Sequence, residues 1–230
     1  MNLKLWAHRG SHHPGGPLEN TLPAFVLALV EGADGIELDV HVSGDGVPLV
    51  FHDETTGRLA EDGVDLVVAD EPAERLMGLP LVGGHSIPPL ELVLDLIDGA
   101  VPVNVEVKDA AALPSVLAIL NARPHAAFLL SSFSTDAMEA ARYAAPHIPR
   151  ALLVEQLDAL VPELDRLAAA AWHPHAGLLT ADRIAHCQRH GVYVHVWTVN
   201  DPAQARALAA RGVHGIFTDR PGAMRRALGG

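Results

Sequence analysis

The chain has 230 residues, 49% apolar and 19% charged, enough to bury a large core in one domain spanning 1–230 and too apolar for intrinsic disorder. A formal net charge of -12 excludes nucleic acid and anionic membrane surfaces as general partners, because binding phosphate through the field of the whole protein requires the opposite sign. One cysteine, Cys187, excludes an internal disulfide and multi-cysteine zinc patterns. No basic-then-apolar leader opens the chain, and no run reaches the roughly 20 apolar residues of a membrane span, so a cytoplasmic protein without a span is expected.

Residues 3–8 read as a strand ending in His8-Arg9-Gly10. The loop at 11–17 is rich in turn formers and holds His12 and His13, but adjacent histidines in a loop lack the fixed geometry of a metal site. Glu19-Asn20-Thr21 precedes an apolar run over Leu22–Val30, with Asn20 or Thr21 as N-cap, Pro23 in the first turn and a stop at Gly32. Over Gly35–Val42 the alternation puts Ile36, Leu38, Val40 and Val42 on one face and Glu37, Asp39 and His41 on the other. Carboxylates two residues apart on one strand face stand roughly 6–7 Å apart at Cα, near enough to raise one pKa unless a cation sits between them.

After a turn at 43–46, residues 47–51 form a second short strand leading into His52-Asp53. Between 54 and 89 no period persists, which predicts an excursion of loops and short helices. A helix over Leu90–Ile97 then leads into a strand at 101–108 that repeats the pattern, Val103, Val105 and Val107 facing away from Asn104, Glu106 and Lys108. Two Val-rich strands that both carry carboxylates predict one shared site for a hard cation, which prefers oxygen ligands. Its ligands would be Glu37, Asp39 and Glu106.

Helices at 111–122, 135–145, 157–171, 181–190, 202–211 and 221–228 alternate with strands at 128–131, 150–154, 171–173, 192–198 and 215–218. About eight strand–helix units in this length predict an α/β fold, a single closed (β/α)8 TIM barrel with a short excursion after the second strand. No Gly-x-Gly-x-x-Gly follows an early strand, which disfavours a dinucleotide fold. Barrel sites lie at the C-terminal ends of the strands, and His8, Arg9, Glu37, Asp39, His52, Glu106 and Lys108 all satisfy that rule.

Together His8-Arg9-Gly10, Glu19-Asn20-Thr21, Glu37-Leu38-Asp39, His52-Asp53, Val105-Glu106-Val107-Lys108, Trp197-Thr198-Val199-Asn200 and Phe217-Thr218-Asp219-Arg220-Pro221 resemble the glycerophosphodiester phosphodiesterases in order and approximate spacing. The resemblance implies a metal-dependent hydrolase that cleaves a small glycerophosphodiester to glycerol 3-phosphate and an alcohol. One Ca2+ or Mg2+ would be held by Glu37, Asp39 and Glu106, with His8 and His52 as general acid and base. Arg9 and Lys108 would contact the phosphate, and Glu19 is a further site residue. Trp197, at the end of its strand, is expected to wall the glycerol moiety with help from Phe133, while His195 packs deeper in the barrel. Asp219 is expected to cap the closing helix. Thr55-Thr56-Gly57-Arg58 and Ile87-Pro88-Pro89-Leu90-Glu91-Leu92 are altered versions of the family's elements and imply a small lid. The alternatives are a lysophospholipase D-type phosphodiesterase at the same site or a non-catalytic phosphate-binding barrel.

Overall fold

In a computed structural model, which describes residues 3–155 and 160–229, strand and helix alternate along the chain. The elements run β1 (Lys4–His8), α1 (Leu22–Val30), β2 (Gly35–Val42), β3 (Pro48–Val50), α2 (Ala73–Met77), α3 (Leu90–Ile97) and β4 (Val103–Val107). They continue as α4 (Leu113–Asn121), β5 (Phe128–Ser132), α5 (Thr135–Ala144), β6 (Arg150–Val154), α6 (Leu160–Leu167) and β7 (Ala171–Pro174). The last are α7 (Ala181–Arg189), β8 (Tyr193–Val196), α8 (Pro202–Ala210), β9 (Gly215–Thr218) and α9 (Pro221–Leu228). Parallel pairing runs β1-β9-β8-β7-β6-β5-β4-β2, and β1 pairs with β2 to close the ring. The chain is therefore an eight-stranded parallel TIM barrel.

The continuous apolar strands explain the architecture. Leu38, Val40, Val105, Val107 and Val194 are fully buried between sheet and helices, and each such aliphatic side chain contributes about 1.5–3 kcal/mol when removed from water. The helices start on local signals. Ser134 accepts from Ala137 N, Thr180 from Arg183 N, and Asp201 from Ala203 N and Gln204 N, caps worth about 1 kcal/mol each. α1 departs from expectation, because Thr21 occupies the N-cap position without capping and its hydroxyl donates to Leu18 O at 2.6 Å. Residues 157–159 of the helix expected over 157–171 lie outside the described residues, and the chain has left that helix before it enters β7 at Ala171.

β3 is not a barrel stave. It pairs antiparallel with the end of β2, Val40 opposite Val50 and His41 opposite Leu49. The hairpin turn is fixed by Ser43, whose hydroxyl donates to Asp45 at 2.5 Å and accepts from Val47 N at 3.0 Å, and by Gly46 at φ +87°, a conformation costly for a residue with Cβ. The excursion thus follows the β2–β3 hairpin, after the second barrel stave as expected. It carries its own small core of Leu49, Phe51, Leu59, Ala60, Val68, Ala73, Leu76, Leu79, Leu81 and Ile87.

Deep inside the barrel, Trp6, His173, His195 and Phe217 pack ring on ring, with centroids 4.8 Å apart for His173–Phe217 and 5.2 Å for His173–His195. Cys187 is buried in α7, and burial pushes its thiol up to about 11, so it packs as an unreactive thiol. Among the described residues no helix is long and apolar enough to cross a membrane.

Candidate active site

Strand register gathers the polar residues. His8 is opposite Glu37 across β1–β2, and Asp39 is opposite Glu106 across β2–β4, so three adjacent staves deliver a histidine and three carboxylates to one end of the barrel. The chain turns sharply as β1 ends: Arg9 has φ +56° and Gly10 φ +84°. A Cβ on Gly10 would come within 2.8 Å of Ala24 on α1, so glycine permits the close approach. That turn aims Arg9 N at Glu37 Oε2 (2.9 Å), its guanidinium Nη1 at Glu19 (2.9 Å), and Nε to 3.1 Å from Asp39 Oδ2.

Glu37, Asp39 and Glu106 are 3%, 1% and 7% exposed, and one oxygen from each lies within 4.8 Å of the others. Lys108, just past β4, sits between two of them, 2.7 Å from Asp39 Oδ1 and in contact with Glu106. Crowding like charges in low dielectric separates their pKa values. Burial, reinforced by Asp39 and Glu106, raises Glu37 well above the usual carboxylate range. Burial and Asp39 push Glu106 up to about 7. For Asp39 the cost of burial is outweighed by Lys108, Arg9 and His52, which hold it well below the usual range.

Two histidines flank this cluster, each with Nδ1 against a carboxylate. His8 Nδ1 is 2.7 Å from Asp219 Oδ1 and His52 Nδ1 is 2.6 Å from Asp53 Oδ1. The β2–β3 hairpin places His52, because Phe51 N donates to Asp39 O at 3.0 Å and His41 Nε2 lies 3.0 Å from His52 O. Burial lowers the pKa of both rings despite those carboxylates, which favours neutral imidazoles at pH 7.

A cavity of about 310 Å³ opens between them. Its polar wall is His8, Arg9, Glu37, His52, Asn104, Glu106, Lys108 and Glu155, and its apolar wall is Phe133, Leu153, Trp197 and Phe217. Trp197 and Phe133 meet edge to face at 5.7 Å, and Trp197 Nε1 donates to His173 O at 2.8 Å, which fixes the indole against the cavity. Of the residues singled out from sequence, Asp39 lies beneath the lining and Glu19 beside it. Glu19 joins Arg9 to Arg58 of the excursion, 2.7 Å away, and Arg58 Nε also holds Asp53 at 2.5 Å.

Three residues with structural parts in the site were not anticipated. Asn20, at φ +55°, donates from Nδ2 to Asp39 Oδ2 at 2.8 Å. Arg58 links Asp53 to Glu19. Asp219 does not cap α9, whose N-cap is Arg220 without a side-chain bond, and turns to His8 instead. The Glu-Asn-Thr and Thr-Asp-Arg-Pro strings marked their positions, but their partners are distant in sequence.

The donor set fits a hard dication. All three carboxylates offer oxygen, one oxygen from each lies within 4.8 Å of the others, and the three carboxylates outnumber the two cations in contact with them, Arg9 and Lys108.

Residues 8–223 match the Glycerophosphoryl diester phosphodiesterase family. A glycerophosphodiester phosphodiesterase of Caldanaerobacter subterraneus subsp. tengcongensis is 32% identical over 235 residues, 96% of each chain, and one of Bacillus altitudinis is 32% identical over 240 residues, 95% of each. Among solved structures, an Oleispira antarctica phosphodiesterase in complex with the product sn-glycerol-3-phosphate has a TM-score of 0.92 at 27% identity, covering 99% of this chain and 97% of that one. A glycerophosphodiester phosphodiesterase of Thermotoga maritima has a TM-score of 0.85 at 28% identity over 98% of both. The barrel, the rim of carboxylates and histidines, and these likenesses along nearly the whole sequence lead to one conclusion: the chain belongs to the glycerophosphoryl diester phosphodiesterase family, and it is a phosphodiester hydrolase.

Proposed function

We propose that the chain cleaves small glycerophosphodiesters to glycerol 3-phosphate and an alcohol, with Glu37, Asp39 and Glu106 holding calcium or magnesium and with His8 and His52 moving the protons. The observation that carries this reading is the crowding of three buried carboxylates, one oxygen from each within 4.8 Å of the others, around the cations Arg9 and Lys108. Fully ionised, the three carboxylates would exceed Arg9 and Lys108 by one negative charge; alone, burial and their mutual repulsion instead raise Glu37 and Glu106. A dication in their midst reverses that excess to one positive charge, which a monoanionic phosphodiester neutralises. When bound, such an ion supplies Lewis-acid polarisation of a phosphoryl oxygen.

The protein's own groups do the rest. The Arg9 fork, braced by Glu19, and the Lys108 ammonium meet charge developing on the phosphoryl oxygens. One neutral imidazole takes the proton from the attacking oxygen, and the other, protonated as the anionic substrate arrives, gives its proton to the departing alkoxide. Trp197 and Phe133 pack against the carbon skeleton of the substrate.

The test is release of glycerol 3-phosphate from glycerophosphocholine and glycerophosphoethanolamine, before and after chelation and with Ca2+ or Mg2+ restored. Chelation is expected to abolish turnover and readdition to restore it, while His8→Ala and His52→Ala each lose roughly 100-fold or more with the cation still bound. Full turnover by the chelated protein overturns the metal role, and near-normal turnover in either variant removes that histidine.

A further inference from the structure

Asp219 lies 211 residues from His8 in sequence yet 2.7 Å from its Nδ1, and its environment is built for that contact. Asn200, after β8, grips it twice: Nδ2 donates to Asp219 Oδ2 at 2.6 Å, and Oδ1 accepts from Asp219 N at 2.9 Å. The orientation of the Asn200 amide is itself fixed, because Thr218 Oγ1 also donates to Oδ1 at 3.0 Å. With one oxygen taken by Asn200, the other, Oδ1, faces His8 and, at 3.3 Å, His12 Nε2. The backbone binds in the same place, His12 N donating to Asp219 O at 2.9 Å.

We propose that Asp219, held by Asn200, is a positioning residue that fixes the His8 ring with its hydrogen on Nδ1 and its Nε2 lone pair toward the cavity. This rests on the reading of His8 as a catalytic histidine and adds what makes that ring competent. The reasoning is one of donor and acceptor inventory. Burial works against the charge on Asp219, but bonds from His12 and His8 outweigh it and keep the carboxylate ionised. An ionised carboxylate only accepts, so a contact of 2.7 Å requires Nδ1 to donate. A neutral imidazole has one N–H, so Nε2 is left as the acceptor. Without Asp219 both tautomers and both ring flips become available, and only one of those states can take a proton from an oxygen in the cavity.

His52 with Asp53 repeats the arrangement, and the brace differs in origin. Asp53 is steadied by Arg58 from the excursion, whereas Asp219 is steadied by an uncharged amide on the barrel itself. A rival use of the first cluster is a metal site, since His8, His12 and Asp219 also bring one ligand atom each within 4.8 Å of the others.

The experiment uses the full-length protein and Asp219→Asn. The asparagine amide keeps the shape and can still accept from Asn200 through oxygen, which turns its NH2 toward His8 and reverses the tautomer. Imidazole nitrogen shifts by 15N NMR, assigned with His8→Ala, are expected to show His8 protonated on Nδ1 in the parent and on Nε2 in the variant. In parallel, kcat on glycerophosphocholine falls roughly 100-fold or more while KM stays within about threefold and the melting temperature holds. Asn200→Ala is expected to give a smaller loss with mixed His8 signals. An unchanged kcat in Asp219→Asn, or an unchanged His8 tautomer, overturns the assignment. So does a stoichiometric zinc site by calorimetry that vanishes in both His12→Ala and Asp219→Asn, because the cluster is then a metal site. His8→Ala separates the two levels. If it is inactive while Asp219→Asn is normal, only the role of Asp219 fails; if it is active, the reading of His8 fails and this inference with it.

Discussion

At the rim of the barrel Glu37, Asp39 and Glu106 are buried among Arg9 and Lys108, while deeper inside His173 and His195 are buried with no carboxylate in ion-pair contact among the described residues. At the rim burial and crowding push Glu37 and Glu106 up, while Asp39 keeps its charge beside Lys108 and Arg9. The interior histidines give it up: burial and the nearby His195 drive His173 well below its ordinary pKa, and burial with His214 and Lys4 lowers His195 to about 3. His173 Nδ1 even lacks a hydrogen-bond partner among the described residues. Both sets are ionisable and hidden from water, so burial of a titratable group does not by itself mark chemistry. The mark is the convergence of like-charged groups on one point, which carries a standing cost until a ligand of the opposite sign arrives.

The sharpest way to break this contrast is Glu37→Gln. The amide oxygen can still accept from Arg9 N, but the charge is gone. Turnover is expected to fall roughly 100-fold or more, while the chelated protein melts no lower than the parent, because a carboxylate with a raised folded-state pKa opposes folding at neutral pH. Retained turnover would dissolve the distinction between rim and interior.

A milder probe is Asn20→Ala, which frees Asp39 Oδ2 on one side. Groups that orient a ligating carboxylate are worth about 10–100-fold, and cation affinity by calorimetry should drop within that range with the fold intact. An affinity equal to the parent's would make Asn20 a packing residue only.

The smallest effect on activity is expected from His195→Phe, which should leave kcat unchanged and alter stability against pH. A ring held neutral in the fold with its pKa lowered contributes stability that is whole above about 6.5 and is lost as pH falls from there toward 3. At pH 5 that loss amounts to about 2 kcal/mol for one ring. Urea unfolding at pH 7 and pH 5 should show the parent losing more stability than the variant, and equal losses would mean that His195 carries its proton in the fold.

Legibility in the sequence followed the range of the interaction. Alternation in Gly35–Val42 and across β4 was enough to put Glu37, Asp39 and Glu106 on one face, because side-chain direction in a strand is a local property. The barrel followed from the strand–helix rhythm for the same reason. What could not be read was set by tertiary contacts. Asn20 looked like a helix cap, but a left-handed backbone turned its amide to Asp39. Asp219 also looked like a cap and answers to a residue at the other end of the chain. The excursion gave no period because its apolar residues converge on a small knot of loops rather than along one face of an element, and Arg58 within that knot had no visible partner.

β1 and β9 are neighbours in the ring, paired from Lys4–Gly215 to Ala7–Thr218, so the barrel seam joins its earliest stave to its latest. A nascent chain still short of β9 has an open seam and a His8 ring with nothing behind it. Synthesis of β9 and of Asp219 behind it is thus the event that assembles this corner of the pocket, and products truncated before β9 lack it.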